Sequence, residues 1–395
     1  MTGDEIVRVA ARGEGVTESG RAAPLAAPGD VLTATGDVIP GPHHLAPPCR
    51  HYPRCGGCQL QHLDDAAYAR YLVERIAGAL AAQGLETDIR TPLLSPDRSR
   101  RRAALHAERR GRQVWIGFTE ARSHALVDME ECWILAPDLF DLIQPLRGLL
   151  AVILPPSRRV DLMLTRTDQG LDVLIEGIEA DGLAAAEGLT AFAERHGLAR
   201  LAVDSGYGPE TRWEPEPVTI TLGGVPVPFP TAAFLQATPE GEAALVAAVR
   251  EAIGKATATA DLFAGLGTFA LSIPGKVYAA EAARDAILGL KAAAAGAQRQ
   301  VFTEHRDLYR RPLATAGLDR FEAVVLDPPR AGARDQADAL AQSAVPRIAY
   351  VSCNPSTFAR DARQLVEGGY ALDWVQPVGQ FRWSTHVELA ARFSR

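Results

Sequence analysis

Five cysteines carry most of the chemistry available to this 395-residue chain, and their placement divides them into two groups. Cys49, Cys55 and Cys58 follow one another in PPCRHYPRCGGCQ, and Cys132 stands far downstream in MEECWILAP. Four thiolates complete the coordination of a zinc ion or of an iron–sulfur cluster, so these four form a candidate metal set. Gly56 and Gly57 give the loop freedom to fold around a bound group. Spacing alone leaves both metals open, although zinc ribbons commonly use two Cys-x2-Cys pairs and only one is present here. Cys353 stands alone in YVSCNPST, at the end of an apolar run and between polar neighbours. A thiolate is a strong nucleophile once its site lowers the pKa, so Cys353 is a candidate for covalent chemistry.

The segments around Cys353 predict how it is positioned. From about residue 233 short apolar runs alternate with Ala-rich helical stretches: TATADLFA, KVYAAE, QVFTEHRD, AVVLDPP, RIAYVSC, ALDWVQPV and finally HVELAARF. That rhythm predicts an α/β domain with a mostly parallel sheet covered on both faces. Ligands in such sheets bind beyond the carboxyl ends of the strands, where Gly265, Glu281, Asp307, Asp327 and Cys353 fall. DLFAGLGTF predicts a tight turn leading into a helix, with glycines that let a ligand approach the backbone, and Glu281 closes the next run, where a carboxylate can accept ribose hydroxyls. A dinucleotide is the competing ligand. The turn lacks a third glycine and no phosphate-binding basic residue follows, so S-adenosylmethionine fits better.

Asp327 opens the sequence DPPR, whose prolines fix the backbone so that the carboxylate projects into the cleft. Methyl transfer beside a nucleophilic cysteine points to carbon 5 of a pyrimidine. Attack at carbon 6 makes carbon 5 nucleophilic, and a base must later remove the carbon 5 proton. Glu388, in THVELAARF, is the candidate base. A cytosine-5 enzyme acting on RNA would share this logic, but it would carry a second cysteine beside the proline, and Asp327-Pro328-Pro329 has none.

The remainder of the chain divides at about residues 45 and 232. Residues 1–45 read as short strands with Gly-rich turns, and 46–232 as a central domain holding the cysteine loop. Tyr68, Tyr71, Leu72, Ile76 and Leu80 recur at helical spacing and predict a helix from Asp64 to about Gln83. QVWIGF and VDLMLTR read as strands. RSRRRAALHAERRGR holds seven arginines, Arg98 to Arg112, against the single acid Glu108. A net charge of −7 excludes a general nucleic-acid coat but not a local basic patch. No stretch approaches the roughly 20 apolar residues of a membrane span. The N-terminus lacks a basic start followed by an apolar run, and the cysteine count is odd, so a cytoplasmic protein with reduced thiols is expected.

Taken together, CRHYPRCGGCQLQH, ECWIL, FLQAT, DLFAGLGTF, LDPPRAG, YVSCNPSTFARD and THVE resemble the RNA uracil-5-methyltransferase family, and within it the iron–sulfur branch acting on 23S ribosomal RNA. The resemblance implies a Rossmann-like seven-stranded methyltransferase domain, a central α+β iron–sulfur domain and a small N-terminal barrel of the TRAM type. It makes Cys353 the nucleophile and Glu388 the base. It assigns Gln236, Phe263, Thr268, Glu281, Asp307 and Asp327 to the methyl-donor pocket, with Asp327 also near the target uracil. It makes Cys49, Cys55, Cys58 and Cys132 ligands of a structural 4Fe-4S cluster in a monomer that binds RNA. Two departures stand out. Thr238 occupies a position where the family has Asn, and residues 1–45 are short for the barrel, which shifts RNA binding onto Arg100 to Arg102, Arg109 and Arg110. A transfer RNA substrate and a non-catalytic iron–sulfur RNA-binding protein are the alternatives.

Overall fold

Runs such as AVVL and RIAYVS are apolar on both faces and too short for helices, so they become central strands of a covered sheet. In the computed structural model, which describes residues 3–395, this sheet has nine strands. Seven lie in the spatial order Val301–His305, Lys276–Glu281, Ala258–Leu262, Ala323–Leu326, Arg347–Ser352, Glu388–Ser394, Ala371–Gly379. The first five are parallel, and Glu388–Ser394 runs antiparallel to both of its neighbours. Two short strands, Asp88–Ile89 and Leu93–Leu94, add to the edge at Ala371–Gly379 and take the count beyond the expected seven. The helices Pro239–Ile253, Arg284–Gly296 and Pro355–Glu367 are among those packed on the sheet. Thr238 caps the first of them, its side chain accepting from the Gly241 amide at 3.0 Å.

One expected helix does not form. After Ala258–Leu262 the chain continues as irregular turns closed by bonds such as Leu271 N to Gly267 O at 2.9 Å. Gly265 and Gly267 both take positive φ, and Pro274 follows closely, so too few residues are left to propagate a regular helix.

The central region has a six-stranded sheet in the order Glu210–Trp213, Arg200–Asp204, Gly170–Glu176, Arg159–Thr167, Arg102–Arg110, Gln113–Gly117. Much of the arginine-rich segment is therefore a strand. One face of this sheet packs against the helices Ile143–Ile153 and Leu183–Arg195. The helix Asp65–Ala81 begins where expected, with Asp64 as its cap, accepting from the Ala67 amide at 2.7 Å. Its apolar face, however, packs on Pro355–Glu367 and on the nine-stranded sheet, in one core with Phe358 and Phe393. The packing units thus do not follow the boundary drawn near residue 232. The stripe of Tyr68, Tyr71, Leu72, Ile76 and Leu80 is buried largely by elements from the far end of the chain, Pro355–Glu367 and Ala371–Gly379. The N-terminal segment, short as it is, forms a five-stranded sheet around Ile6, Ala23, Ala26 and Leu32. No helix among the described residues is long and apolar enough to cross a membrane.

Arg200 and Asp172 form a buried ion pair in the central sheet, at 2.9 and 2.7 Å, and Arg200 also donates to the Phe229 carbonyl at 3.0 Å. Asp172→Ala leaves that cation with only the longer Glu214 contact at 3.8 Å and should cost about 3 kcal/mol. Urea unfolding followed by tryptophan fluorescence should show the lower midpoint.

Candidate functional site

Strand register alone brings the two reactive groups together. Ser352 pairs with Leu389 across the antiparallel strands, so Cys353, just past its strand, and Glu388, the first residue of its own, come next in register at the cleft end. Asn354 starts the helix Pro355–Glu367, its side chain accepting from the Ser356 amide at 3.1 Å, and this forces the sharp exit that presents Cys353. The DPPR loop is tied to the same helix. The Arg330 carbonyl accepts from Asn354 at 3.0 Å and from Thr357 at 3.1 Å, and the Ala333 amide donates to buried Asp361 at 2.7 Å. Asp327 and Cys353 therefore sit on one braced unit.

The electrostatics are those of a crowded acidic pocket. Burial pushes the Cys353 thiol up to about 11, with Glu388 and Asp327 adding to the shift and Arg330 opposing it. Burial raises Glu388 to about 8, helped by Asp327. Asp327 is raised to about 7, by burial first and then by Glu281. Near neutral pH the two carboxyl groups can therefore both hold and release a proton, whereas the thiol holds its own until a base takes it.

The other expected pocket residues surround this centre. Phe263 leaves its strand with φ of 65° and packs against Tyr309, ring centroids 5.5 Å apart and planes tilted by 55°. The Tyr309 hydroxyl donates to the Gly332 carbonyl at 3.0 Å and so bridges two strand-end loops. Glu281 accepts from the Gly265 amide at 2.9 Å and from the Ala283 amide at 2.6 Å, which fixes its carboxylate beside the glycine turn. A Cβ on Gly265 would meet nothing within 4 Å, so the turn faces open space, whereas one on Gly267 would strike Leu290 at 2.4 Å. Thr268 is half-buried in the same turn. Asp307 accepts from the Tyr309 and Arg310 amides at 3.0 and 3.2 Å and shapes the loop that carries Tyr309. Gln236 lies on the Glu388 side, its amide oxygen accepting from Gln380 at 2.8 Å.

Gln380, Tyr309 and Asp261 are residues that the sequence reading does not single out. Asp261 is fully buried in a central strand, and neither carboxylate oxygen has a hydrogen-bond partner. Burial, Asp327 and Glu281 together raise it to about 8. Its signal was present: an acid inside an apolar strand, immediately before the glycine turn.

Cys49, Cys55, Cys58 and Cys132 line one pocket, walled by Tyr52, Phe118, Trp133 and Ile134. Gly56 and Gly57 are needed there for close approach, not for positive φ. A Cβ on Gly56 would lie 2.7 Å from the Thr119 carbonyl, and one on Gly57 3.1 Å from the Phe118 ring. The Glu131 carboxylate accepts from the Arg50 amide at 2.5 Å and the His51 ring accepts from the Glu130 amide at 2.9 Å, which delivers Cys132 to the loop. Burial pushes Cys58 up to about 12 and Cys132 to about 11, so a cation would be needed to hold them as thiolates. Among the described residues no three His, Cys, Asp or Glu side chains are grouped tightly enough to hold a metal ion.

The arginine segment divides sharply. Arg101 is buried against Glu242 at 2.6 Å, Arg109 donates to the Leu154 carbonyl at 2.7 Å, and Arg110 pairs with Glu108 at 2.9 Å. These three already have partners within the protein. Arg100 and Arg102 have no such carboxylate partner.

The tRNA (uracil-5-)-methyltransferase family profile matches residues 254–395. An uncharacterised RNA methyltransferase of Zymomonas mobilis is 50% identical over 394 residues, 99% of each chain. The 23S rRNA (uracil(1939)-C(5))-methyltransferase of Halomonas elongata is 33% identical over 369 residues, 87% of this chain and 75% of that one. Among solved structures, the Pyrococcus abyssi tRNA (uracil-54, C5)-methyltransferase in complex with S-adenosyl-L-homocysteine superposes with a TM-score of 0.74 at 21% identity, covering 99% of both chains, and shares the fold.

The raised Cys353 pKa carries its own test. Alkylation of Cys353 by iodoacetamide, followed by mass spectrometry, should be slow at neutral pH and climb steadily toward pH 10. Arg330→Gln removes the one cation that favours the thiolate and should slow it further at every pH.

Proposed function

Because the chain belongs to the RNA uracil-5-methyltransferase family, we propose that it methylates carbon 5 of a uridine in 23S ribosomal RNA, with Cys353 as nucleophile and Glu388 as base. Its activity is that of an S-adenosylmethionine-dependent RNA (uracil-C5)-methyltransferase. The observation that carries the assignment of roles is the register that sets Glu388 opposite Cys353. Support for 23S rRNA over transfer RNA comes from the Halomonas relative, whose similarity extends over most of this chain.

Bound S-adenosylmethionine supplies an electrophilic methyl group, and Gln236, Phe263, Thr268, Glu281, Asp307 and Asp327 are the residues that would hold it. Cys353, once deprotonated, forms a sulfur–carbon bond at carbon 6, and the displaced double-bond pair makes carbon 5 nucleophilic toward that methyl group. Glu388 then takes the carbon 5 proton, the pair returns to the ring double bond, and the sulfur leaves with its own pair. With a pKa near 8, Glu388 is a stronger base than an ordinary carboxylate when ionised. A stacked base cannot reach Cys353, so the target uridine must turn out of its stack.

The same proposal includes a 4Fe-4S cluster held by Cys49, Cys55, Cys58 and Cys132. All four are soft donors lining one pocket, which suits the thiolate ligation of an iron–sulfur cluster. A cluster there would hold the 49–58 loop against Cys132, a structural role. The same reading takes the protein to be a cytoplasmic monomer with reduced thiols.

Mapping 5-methyluridine in ribosomal and transfer RNA after gene deletion should show loss at one 23S position; loss from transfer RNA alone would transfer the assignment there. With purified protein, RNA carrying 5-fluorouridine at that position should form a stable covalent complex, and Cys353→Ala should form none. Anaerobically purified protein should contain about four irons per chain, as in a cubane cluster. Cys132→Ser should lose them while circular dichroism of the nine-stranded domain persists.

A further inference from the structure

Arg100, Arg101 and Arg102 are successive residues of an extended segment, so Arg100 and Arg102 project to one side and Arg101 to the other. Arg101 is neutralised by Glu242, but among the described residues neither Arg100 nor Arg102 has a carboxylate within ion-pair distance. The Arg100 Nε donates only to the Arg102 carbonyl, at 3.0 Å, and the Arg102 Nε is buried without any partner. Each guanidinium lies 5.8 Å from an aromatic ring centroid: Arg100 from Phe381 and Arg102 from Phe234.

Those two rings place the arginines at the cleft. Phe381 belongs to the loop that leads into Glu388, and Phe234 stands two residues before Gln236 and is 64% exposed. Burial makes charge costly for both arginines, and for Arg102 the neighbouring Arg100 adds to that cost. A guanidinium does not give up its proton in a protein, so this cost remains in the free molecule until an anion relieves it. The ligand that fits is a diffuse anion able to accept from two planar forks. On a chain of net charge −7, the strand carrying the target uridine needs such a local seat to remain near the cleft.

We propose that Arg100 and Arg102 together form a seat for an RNA phosphodiester flanking the target uridine, at the mouth of the catalytic cleft. The seat rests on the RNA-methylating role stated above and adds to it the contact that holds the strand. It depends on charge and not on base identity, so it serves any uridine-bearing strand.

The test is the affinity of the full-length protein for fluorescein-labelled decauridylate, measured by anisotropy over a potassium chloride series. Arg102→Gln should weaken binding about tenfold and flatten the slope of log affinity against log salt by about 0.7, and Arg100→Gln/Arg102→Gln by about 1.4, the change expected for one and two lost single-strand phosphate contacts. Arg102→Lys, which keeps the charge, should retain the slope, and Arg110→Gln, whose arginine is committed to Glu108, should match the wild type. Thermal midpoints should not fall, because the substitutions remove uncompensated charge. A methylphosphonate linkage beside the central uridine should weaken the wild type and leave the double variant unaffected. An unchanged salt slope in a folded Arg100→Gln/Arg102→Gln variant overturns the seat even if the protein methylates 23S rRNA. A flattened slope in a protein that makes no 5-methyluridine upholds the seat and removes the methylation reading instead.

Discussion

The backbone of Trp383 ties the two chemical centres into one structure. Its carbonyl accepts the Gln59 and Leu60 amides at 2.8 and 2.9 Å, immediately after Cys58, and its side chain packs with Cys58 and Ile134. The loop it belongs to runs directly into Glu388. Tyr68 and Tyr71 hold the same loop from the other side through the Phe381 and Thr385 carbonyls, at 3.0 and 3.3 Å. Whatever keeps the cysteine loop in shape therefore keeps the candidate base in place. A carboxylate that must stay within reach of one thiol tolerates little freedom in the backbone that carries it.

The active site shows a second consequence of burial. Asp261, Asp327 and Glu388 lie at or near the ends of strands of one covered sheet, with Glu281 close by, and the covering leaves the first three little water. Their mutual repulsion and desolvation raise Asp261, Asp327 and Glu388 toward neutrality, a range in which a carboxyl group can both hold and release a proton. Acids are thus concentrated where their charged forms are least stable. The Asn354, Thr357 and Asp361 contacts from a single helix hold two strand-end loops against that repulsion. The cleft's cations, by contrast, lie outside this pocket, with Arg330 beside the thiol and Arg100 and Arg102 at the mouth.

Much of the C-terminal domain was legible because its signals are local. Apolar runs of four to six residues and the glycine turn each act within a few residues of chain. The helix Asp65–Ala81 was legible in extent but not in destination, because periodicity reports a buried face without saying what buries it. The missing helix after Leu262 shows the opposite failure. A family-like turn motif suggested a regular element, and two positive-φ glycines with a nearby proline prevented it.

Residue types and their order determined the chemistry that is possible here: a lone thiol in a polar strand-end loop, acids at the ends of apolar runs, and four soft donors in two segments. Those are properties of side chains and of short stretches of backbone, and they survive without knowledge of the fold. Tertiary structure alone decided which groups are free to use that chemistry. Arg101 looked equivalent to its neighbours until Glu242, 141 positions away, neutralised it, while Arg100 and Arg102 received no such partner. Asp261 looked like one more strand residue until burial between other acids made it a site residue. The reason is physical: pairing and desolvation depend on distance through space, and a sequence records only distance along the chain.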